Sequence, residues 1–572
     1  ITPQQAARIQ ALNLRGIYFQ KENKRFYPER TLASSVLGYV DMDEHGLAGV
    51  EYSLDKLIRG RPSRMLVFAD ARRRWFDHSE ASVDKGDNVV LTIDETIQYI
   101  AEKALAAGIA RTHAKGGSVV VQDPNTGQLL AVANWPAFDS NDAGSYPAEI
   151  RVDRAVSDAY EPGSIFKTIL FSSAIQEGVA QPSDVVDCQM GSIVVAGRLI
   201  HDWHPWGLLT VEQVLVHSSD VGSIKLALRL GAPKYYDYIR NFGFGRLTGI
   251  KLPGENRGLL RPLDEWTASS IGSIAIGQEV SVTPVQMISA ESAIANGGTL
   301  RRPQIVREVL HGNQIVMQED PKPRRVIDEQ TAATVREIME QVILAGTGKG
   351  FAQPFGYTAA GKTGTAQKID PGTGRYSKTN YNASFIGYAP VNNPVVTILV
   401  NLDSPIVGSH EGGPAAGPVF KDVAEQVLSY MNVPHDMPEL PNLEKASLRR
   451  RARQPYFDTQ FDANVDTHAA KRAKRAAQSM PLPAADVVSV PESSTVAIAE
   501  GQTVTVPKLI GQSVRGVTEA CSHLGLLPIL VGDGIALDQS PDPGTKVLPG
   551  TKVMVHFGRS SDVATGAAGG SN

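Results

Sequence analysis

Apolar positions along this chain change period several times, and each change marks an element. The run NVVLTID is continuously apolar and reads as a strand, and ETIQYIAEKALAAGIART has the spacing of an amphipathic helix. GGSVVVQDPNTGQLLAVAN sets two apolar runs around the turn Asp123-Pro124-Asn125-Thr126-Gly127, which predicts a hairpin. A long helix-rich middle comes next. Strand patterns return in TAAGKTGTAQK, NASFIGYAP and PVVTILVNLD. Strands first, helices inserted and strands last predict an α+β domain, an antiparallel sheet covered by helices, over residues 87–434.

The flanks read differently. Residues 1–86 carry short strand-like pieces, RGIYFQ, KRFYP, VLGYV and RMLVFADARRRWF, around the glycine-punctuated GLAGVEYSLDKLIRG. After Pro434 large apolar residues thin out, and SLRRRARQ, AAKRAKRAAQ and SMPLPAAD predict a disordered linker over 435–501. Its basic clusters leave two readings open, a solvated linker and a patch for anionic lipid or polymer. A compact unit is predicted over 502–558, with a strand in TVTVPKLIG, a helix in SVRGVTEACSHLG, strands in LLPILVGD and KVMVHFG, and the turn PDPGTKVLPGTK. The tail 559–572 is predicted to be disordered.

Composition narrows the function classes. With 572 residues, 42% apolar, 20% charged and a net charge of −4, the chain is ordinary globular protein and no nucleic-acid binder as a whole. Cys188 and Cys521 lie too far apart to suggest a disulfide framework or a cysteine metal site. The histidines show no ligand spacing, and His201 and His204 in HDWHPW read as part of a loop. No apolar run is long enough for a membrane span and there is no signal peptide. Because the sequence begins at Ile1, without an initiator Met and inside what reads as structure, it is read as cropped upstream, and the absence of an anchor here says little.

Candidate chemistry starts at YEPGSIFKTILFSSAI. Pro162 and Gly163 punctuate the chain, and Ile165, Phe166, Ile169, Leu170 and Ala174 share one helical face, which puts Ser164 at a helix start. Lys167 lies one turn on, within reach of the Ser164 hydroxyl, and a serine needs such a base to become a nucleophile. Alone, the pattern is weak. It recurs at Ser53–Lys56 and Ser82–Lys85, and average composition gives about two chance matches in this length. An N-cap serine with a solvated lysine fits it equally well.

Two further elements break the tie. In VHSSDVGSIKLALRLG, Ser218 and Asp220 open another apolar helix, and in AAGKTGTAQK the run Lys362-Thr363-Gly364-Thr365 lies on a strand where glycine permits close approach. Ser-x-x-Lys, then Ser-x-Asn, then Lys-Thr-Gly is the signature of penicillin-binding proteins and class A β-lactamases, and this chain resembles that superfamily in order and spacing. SIGSIAIGQEVSVTPVQM and GGPAAGPVF resemble family segments as well. FYPERTLASSVLGYV and GLAGVEYSLDKLIRG look like the non-catalytic pedestal of class B penicillin-binding proteins, and 502–558 looks like a PASTA domain, a combination similar to septal and sporulation transpeptidases.

The resemblance implies a D,D-transpeptidase of the cytoplasmic membrane with its catalytic domain outside, acting on peptidoglycan stem peptides and lipid-linked precursor strands, trapped by β-lactams and working beside a membrane glycosyltransferase. It implies no metal or organic cofactor. It implies Ser164 as nucleophile and Lys167 as base. Ser218 would be a proton relay ordered by Asp220 and Lys362, and Thr363, Gly364 and Thr365 would meet the substrate carboxylate and oxyanion. One departure stands out: the second motif is Ser218-Ser219-Asp220, with no Ser-x-Asn anywhere in the chain. An asparagine can donate and accept, whereas an ionised aspartate only accepts. Asp220 is therefore expected to weaken the usual hydrogen bond to substrate and to favour a charged Lys167. The rival readings are a D,D-carboxypeptidase, a β-lactamase, and a wall-binding scaffold with a crippled site.

Overall fold

The computed structural model describes residues 3–14, 24–60, 86–318, 322–370, 372–437, 504–512, 514–531, 535–548 and 551–558, with a few isolated positions before residue 86. The Ser82–Lys85 pair, most of the 435–501 linker and the 559–572 tail lie outside the described residues. The chain divides into two compact units, Ile1–Gln454 and Pro455–Asn572.

The first unit is built on one antiparallel sheet. Its strands are β1 (Gly116–Gln122), β2 (Leu129–Trp135), β3 (Ala360–Ile369), β4 (Tyr376–Ala389) and β5 (Val396–Asp403), in the order β3-β4-β5-β1-β2. Alternate residues of a strand face opposite sides, and here both sides are cores. Val119, Val121, Phe385, Ile398 and Val400 join the cluster under helices α1 (Glu95–Thr112) and α6 (Gly412–Tyr430). Val120, Val132, Ile386, Tyr388 and Leu399 join the cluster around α2 (Lys167–Gln176), α3 (Asp220–Leu230), α4 (Ala232–Asn241) and α5 (Pro284–Ala295). A sheet covered on both faces explains why β1, β2 and β5 read as near-continuous apolar runs. Asp94 caps α1 by accepting from Ile97 N, and Thr283 and Gln286 form a capping box at α5.

Several expectations are corrected. VLGYV reads as a strand, yet Ser34–Leu37 is a helical turn, and GLAGVEYSLDKLIRG forms the helices Gly49–Ser53 and Asp55–Ile58. Short apolar runs carry too few residues for period to separate helix from strand. The strand NVVL does form, but it pairs with Val306–His311 in a small separate sheet. The amino-terminal segment is tied to the sheet domain through Arg30 Nε to Asp139 Oδ2 (2.8 Å) and Asn134 Nδ2 to Ser35 Oγ (2.9 Å).

The second unit packs helix Val514–His523 on a sheet ordered Leu527–Val531, Lys552–Gly558, Ile535–Ser540. Val506, Leu509, Val517, Cys521, Val553 and Val555 fill its core. TVTVPKLIG contributes only the short strand Val504–Thr505, and Ile535–Ser540 forms a strand that the sequence pattern does not predict. Its single charged position, Asp538, and its flanking turn residues hide an edge strand from a pattern reading.

Candidate active site

Ser164 sits in the single 3-10 turn Gly163–Phe166, and α2 begins only at Lys167. The serine is thus one turn ahead of the regular helix rather than its cap. Gly163 N donates to Gly277 O at 3.1 Å. A Cβ on Gly277, whose φ is +75°, would lie 2.1 Å from Gly163 O, so the nucleophile turn is clamped by a position open only to glycine. On its other side lies β3. A Cβ on Gly364 would fall 2.4 Å from Ser384 Oγ and 2.9 Å from Ile165 Cγ2, and this close approach seats the Lys-Thr-Gly strand against the same turn.

Both candidate lysines are fully buried. Lys167 Nζ donates to Asp220 Oδ1 at 2.6 Å, to Ser218 O at 2.8 Å and to Ser218 Oγ at 3.3 Å. Lys362 Nζ donates to Ser218 Oγ at 2.9 Å and to Thr363 O at 3.1 Å. The helical spacing predicts that the Lys167 amine meets the Ser164 hydroxyl. In this resting geometry its hydrogen bonds go to the second motif instead, because the Asp220 carboxylate captures the ammonium in an ion pair. Burial, with the Lys167 charge beside it, holds Lys362 well below the usual lysine range, while Asp220 pulls the other way. An ammonium only donates and a neutral amine can accept. Ser218 Oγ accepts from both amines, and because Lys362 is held low its amine can also take a proton, so a proton has a path among the three.

The third motif splits its two threonines. Thr363 is buried and its hydroxyl shares a 2.7 Å bond with Thr347 Oγ1. Thr365 is exposed, and its Oγ1 accepts from Gly412 N at 3.1 Å, at the start of α6. Thr365 therefore presents the open hydroxyl of the pair.

The second motif is held by a residue that motif reading missed. Ser218 has φ +59°, and Ser219 caps α3 by accepting from Gly222 N at 3.0 Å. Asp202, from the HDWHPW loop, accepts from Asp220 N (2.5 Å) and Val221 N (3.0 Å) on one oxygen and from Ser219 Oγ (2.7 Å) on the other. A carboxylate there satisfies otherwise orphaned N–H groups and suits the positive end of the helix. Trp203 Nε1 donates to His217 O at 2.9 Å and Trp206 stacks on His217, so this loop folds against the second motif. Burial and the neighbouring His204 push His217 down. No sequence signal marked Asp202, because it lies 18 residues from Asp220.

Two more carboxyls lie near the first motif, one just before it in sequence and one against the first turn of α2. Glu161 accepts from Glu279 N at 2.9 Å and Tyr376 OH at 3.1 Å, and burial pushes it up. Glu291 of α5 accepts from Thr168 Oγ1 at 3.0 Å, and full burial pushes it up to about 8. Ser53, in the decoy pair with Lys56, lies in the amino-terminal segment on a short helix of its own. Cys188 and Cys521 are buried and free. Among the described residues, no His, Cys, Asp or Glu cluster could share a metal ion, and no helix is long and apolar enough to cross a membrane.

Comparison with known proteins yields three family matches. The penicillin-binding protein transpeptidase domain matches residues 117–425, the penicillin-binding protein dimerisation domain 1–91 and the PASTA domain 504–559. Penicillin-binding protein PbpB of Mycobacterium tuberculosis is 36% identical over 73% of this chain and 63% of its own length. Stage V sporulation protein D of Bacillus subtilis is 31% identical over 97% of this chain and 79% of its own. Peptidoglycan D,D-transpeptidase FtsI of Escherichia coli is 33% identical over 76% and 72%. The crystal structure of Mycobacterium tuberculosis penicillin-binding protein 3 complexed with ampicillin superposes with a TM-score of 0.66 at 36% identity, covering 73% of this chain and 92% of that one. The chain spans less than two thirds of the length of the first of these relatives.

Proposed function

The chain belongs to the class B penicillin-binding proteins, and we propose that it cross-links peptidoglycan as a D,D-transpeptidase through an acyl-enzyme on Ser164. The carrying observation is the convergence of two buried lysines on Ser218 Oγ beside a clamped serine turn. Ser164 attacks the carbonyl of the penultimate D-alanine. Lys167, relieved of its proton through Ser218, takes the Ser164 proton. Ser218 then passes a proton to the departing D-alanine amine, with Asp220 and Lys362 ordering the path. The N–H groups of Ser164 and Thr365 receive the oxyanion, and losing one such donor costs about 3 kcal/mol of barrier. The substrate's terminal carboxylate meets the Thr365 hydroxyl, with Thr363 behind it. Its charge draws a proton back onto Lys362. An amine from a neighbouring strand resolves the acyl-enzyme. A β-lactam resembles the acyl donor and traps Ser164 covalently.

The boundaries 1–86, 87–434, 435–501 and 502–558 are part of this reading, as is a place on the outer face of the cytoplasmic membrane. Exposed Phe26, Met42, Leu47 and Tyr52 in the first segment support it as the face for a glycosyltransferase partner that supplies lipid-linked strands. Intact-mass measurement after benzylpenicillin should show one adduct, absent in Ser164→Ala. An adduct that survives this change sinks the assignment.

A further inference from the structure

Away from the cleft, a cavity of about 200 Å³ opens where the end of α4, the start of α5, the segment 299–303 and the strand Arg324–Arg325 meet. Arg246, Arg301, Arg302, Lys322 and Arg324 line it, with Thr248 among the polar groups. Its size suits a small polar group, since drug-sized pockets begin at roughly 300 Å³.

Part of this basic cluster has a structural job. Arg246 Nη2 donates to Arg240 O, and Arg324 donates to Asn241 O and, at 3.2 Å, to Asn241 Oδ1. These are the last carbonyls of α4, where cations are favoured. That role engages both terminal nitrogens of Arg324 and one of Arg246, and it does not reach Arg301, whose buried Nε has no partner. Elsewhere in this unit arginines meet carboxylates: Arg25 with Glu51, Arg30 with Asp139, and Arg325, next along the strand, with Glu329. Glu255, a carboxylate on the adjoining hollow, spends its oxygens on Thr248 and Gly249. Burial and the nearby Arg240 and Arg324 push Arg246 down, and burial pushes Arg324 down; among the described residues no ion pair joins Arg246, Arg301 or Arg324 to a carboxylate.

We propose that this cavity binds an anion of the phosphate class, a phosphomonoester, diphosphate or phosphodiester group, held by Arg246, Arg301 and Arg324. Arg246 lies in the loop after α4, Arg301 follows the strand Thr299–Leu300, and Arg324 lies on the strand paired with it, so donors reach the cavity from more than one element. A tetrahedral phosphate has acceptor oxygens in each direction, whereas a planar carboxylate offers two. The guanidinium fork matches such oxygens pairwise. The site is separate from the acylation chemistry and stands whether or not that chemistry is read correctly.

The test is calorimetric titration of the full chain with inorganic pyrophosphate at near-physiological salt. Saturable one-site binding is expected, at least tenfold weaker in Arg301→Gln and intermediate in Arg301→Lys, which keeps the charge and loses the fork. Circular dichroism checks that the variants fold, and Arg324→Gln serves as the second variant should Arg301→Gln misfold. Penicillin acylation should be unchanged in each. Cosedimentation with phosphatidylglycerol vesicles, lost in the same variants, assigns the anion to a lipid headgroup; pyrophosphate binding without cosedimentation assigns it to a soluble or polymeric phosphate. Titration without saturation, or equal affinity in the folded Arg301→Gln and Arg324→Gln, overturns the site.

Discussion

The second and third motifs meet at one atom, Ser218 Oγ, yet they are put there in opposite ways. Lys362 and its neighbours lie mid-strand on β3, where pairing with β4 runs from Ala360↔Tyr388 through Ala366↔Asn382 without a break. Their positions come from register, a property of the local chain. Ser218 sits between two helices with a left-handed backbone, and the amides of Asp220 and Val221 just beyond it are held by Asp202 from another loop. A motif on a regular strand carries its own geometry. A motif at a helix start borrows it from a distant residue, and should break when the loan is withdrawn.

The largest effect should therefore come from Asp202→Ala. It strips the acceptor from two amides and from the Ser219 hydroxyl, and so loosens Ser218 and Asp220 together. We expect penicillin acylation of Ser164 to fall 10- to 100-fold, about 1.4–2.7 kcal/mol of barrier. Asp202→Asn keeps one accepting oxygen and should fall less. The control in the third motif is Thr347→Val, which removes the Thr347–Thr363 bond but leaves the strand pairing intact; it should cost under about threefold, within a single net hydrogen bond. Equal losses in Asp202→Ala and Thr347→Val would erase the distinction.

The helix α2 serves both motifs, and Glu291 sits behind it against Thr168. Its native carboxyl titrates at about 8, against about 4.3 in an unfolded chain. Between those values the native state holds a proton that the unfolded state has lost. Stability from this group is present at low pH and is lost as pH rises toward 8. Glu291→Gln removes the ionisable group and can keep the bond to Thr168. Urea unfolding should find the variant more stable than the parent at pH 8, by an amount on the order of a few kcal/mol, with the gap closing at pH 5. A gap independent of pH would mean that Glu291 is not the titrating group.

The same contrast explains what could be read from the sequence. Ser164, Lys167 and Lys362 were marked as candidates by motif spacing, one turn for the first two and one strand for the third, although the Lys167 hydrogen bonds go to Ser218 and Asp220 rather than to Ser164. The antiparallel sheet covered by helices was legible because most of its strands are apolar runs, but its membership was not, since NVVL joins a separate sheet. Asp202, Glu161 and Glu291 were not, since each acts across a gap that only tertiary folding closes. Glu291 even sits on a fully buried helix face, where pattern gives no cue. The preference of Lys167 for Asp220 over Ser164 was half visible. The aspartate raised the expectation of a charged lysine, but the capture of its hydrogen bonds depends on where α3 begins. In the amino-terminal segment, short elements such as Ser34–Leu37 are decided by packing rather than by period.

Asp220→Asn tunes the meeting point without dismantling it. The Asp220 charge favours the protonated form of Lys362, against burial and Lys167. Removing that charge should let Lys362 lose its proton at lower pH and should free the Lys167 amine from its ion pair. The acidic limb of the acylation-rate profile should then move to lower pH, and the rate near neutrality should rise severalfold. Acylation measured from pH 5 to 10 on both forms decides. An unmoved limb would mean that the resting Asp220 carboxyl is protonated, and a move to higher pH would show that Asp220 does not act through the lysines. The scaffold reading, whose one support is Asp220, fails if the parent acylates at all.

The smallest effect should come from deleting everything after Gln454, where the first unit ends. Both motifs, Asp202 and Glu291 lie before that point, and the carboxy-terminal unit has its own core of Val506, Leu509, Val517, Cys521, Val553 and Val555. A unit with its own core can be removed without opening a cavity in the other. Nothing in the hydrogen bonds that hold Ser218, Lys167 or Lys362 comes from beyond residue 434 among the described residues. The shortened chain should react with fluorescent penicillin at a rate within about twofold of the full chain, which is under about 0.5 kcal/mol of barrier. A tenfold loss, about 1.4 kcal/mol, would mean that the cleft borrows stability from outside its own unit. The reliance of the second motif on distant residues would then extend further along the chain than Asp202.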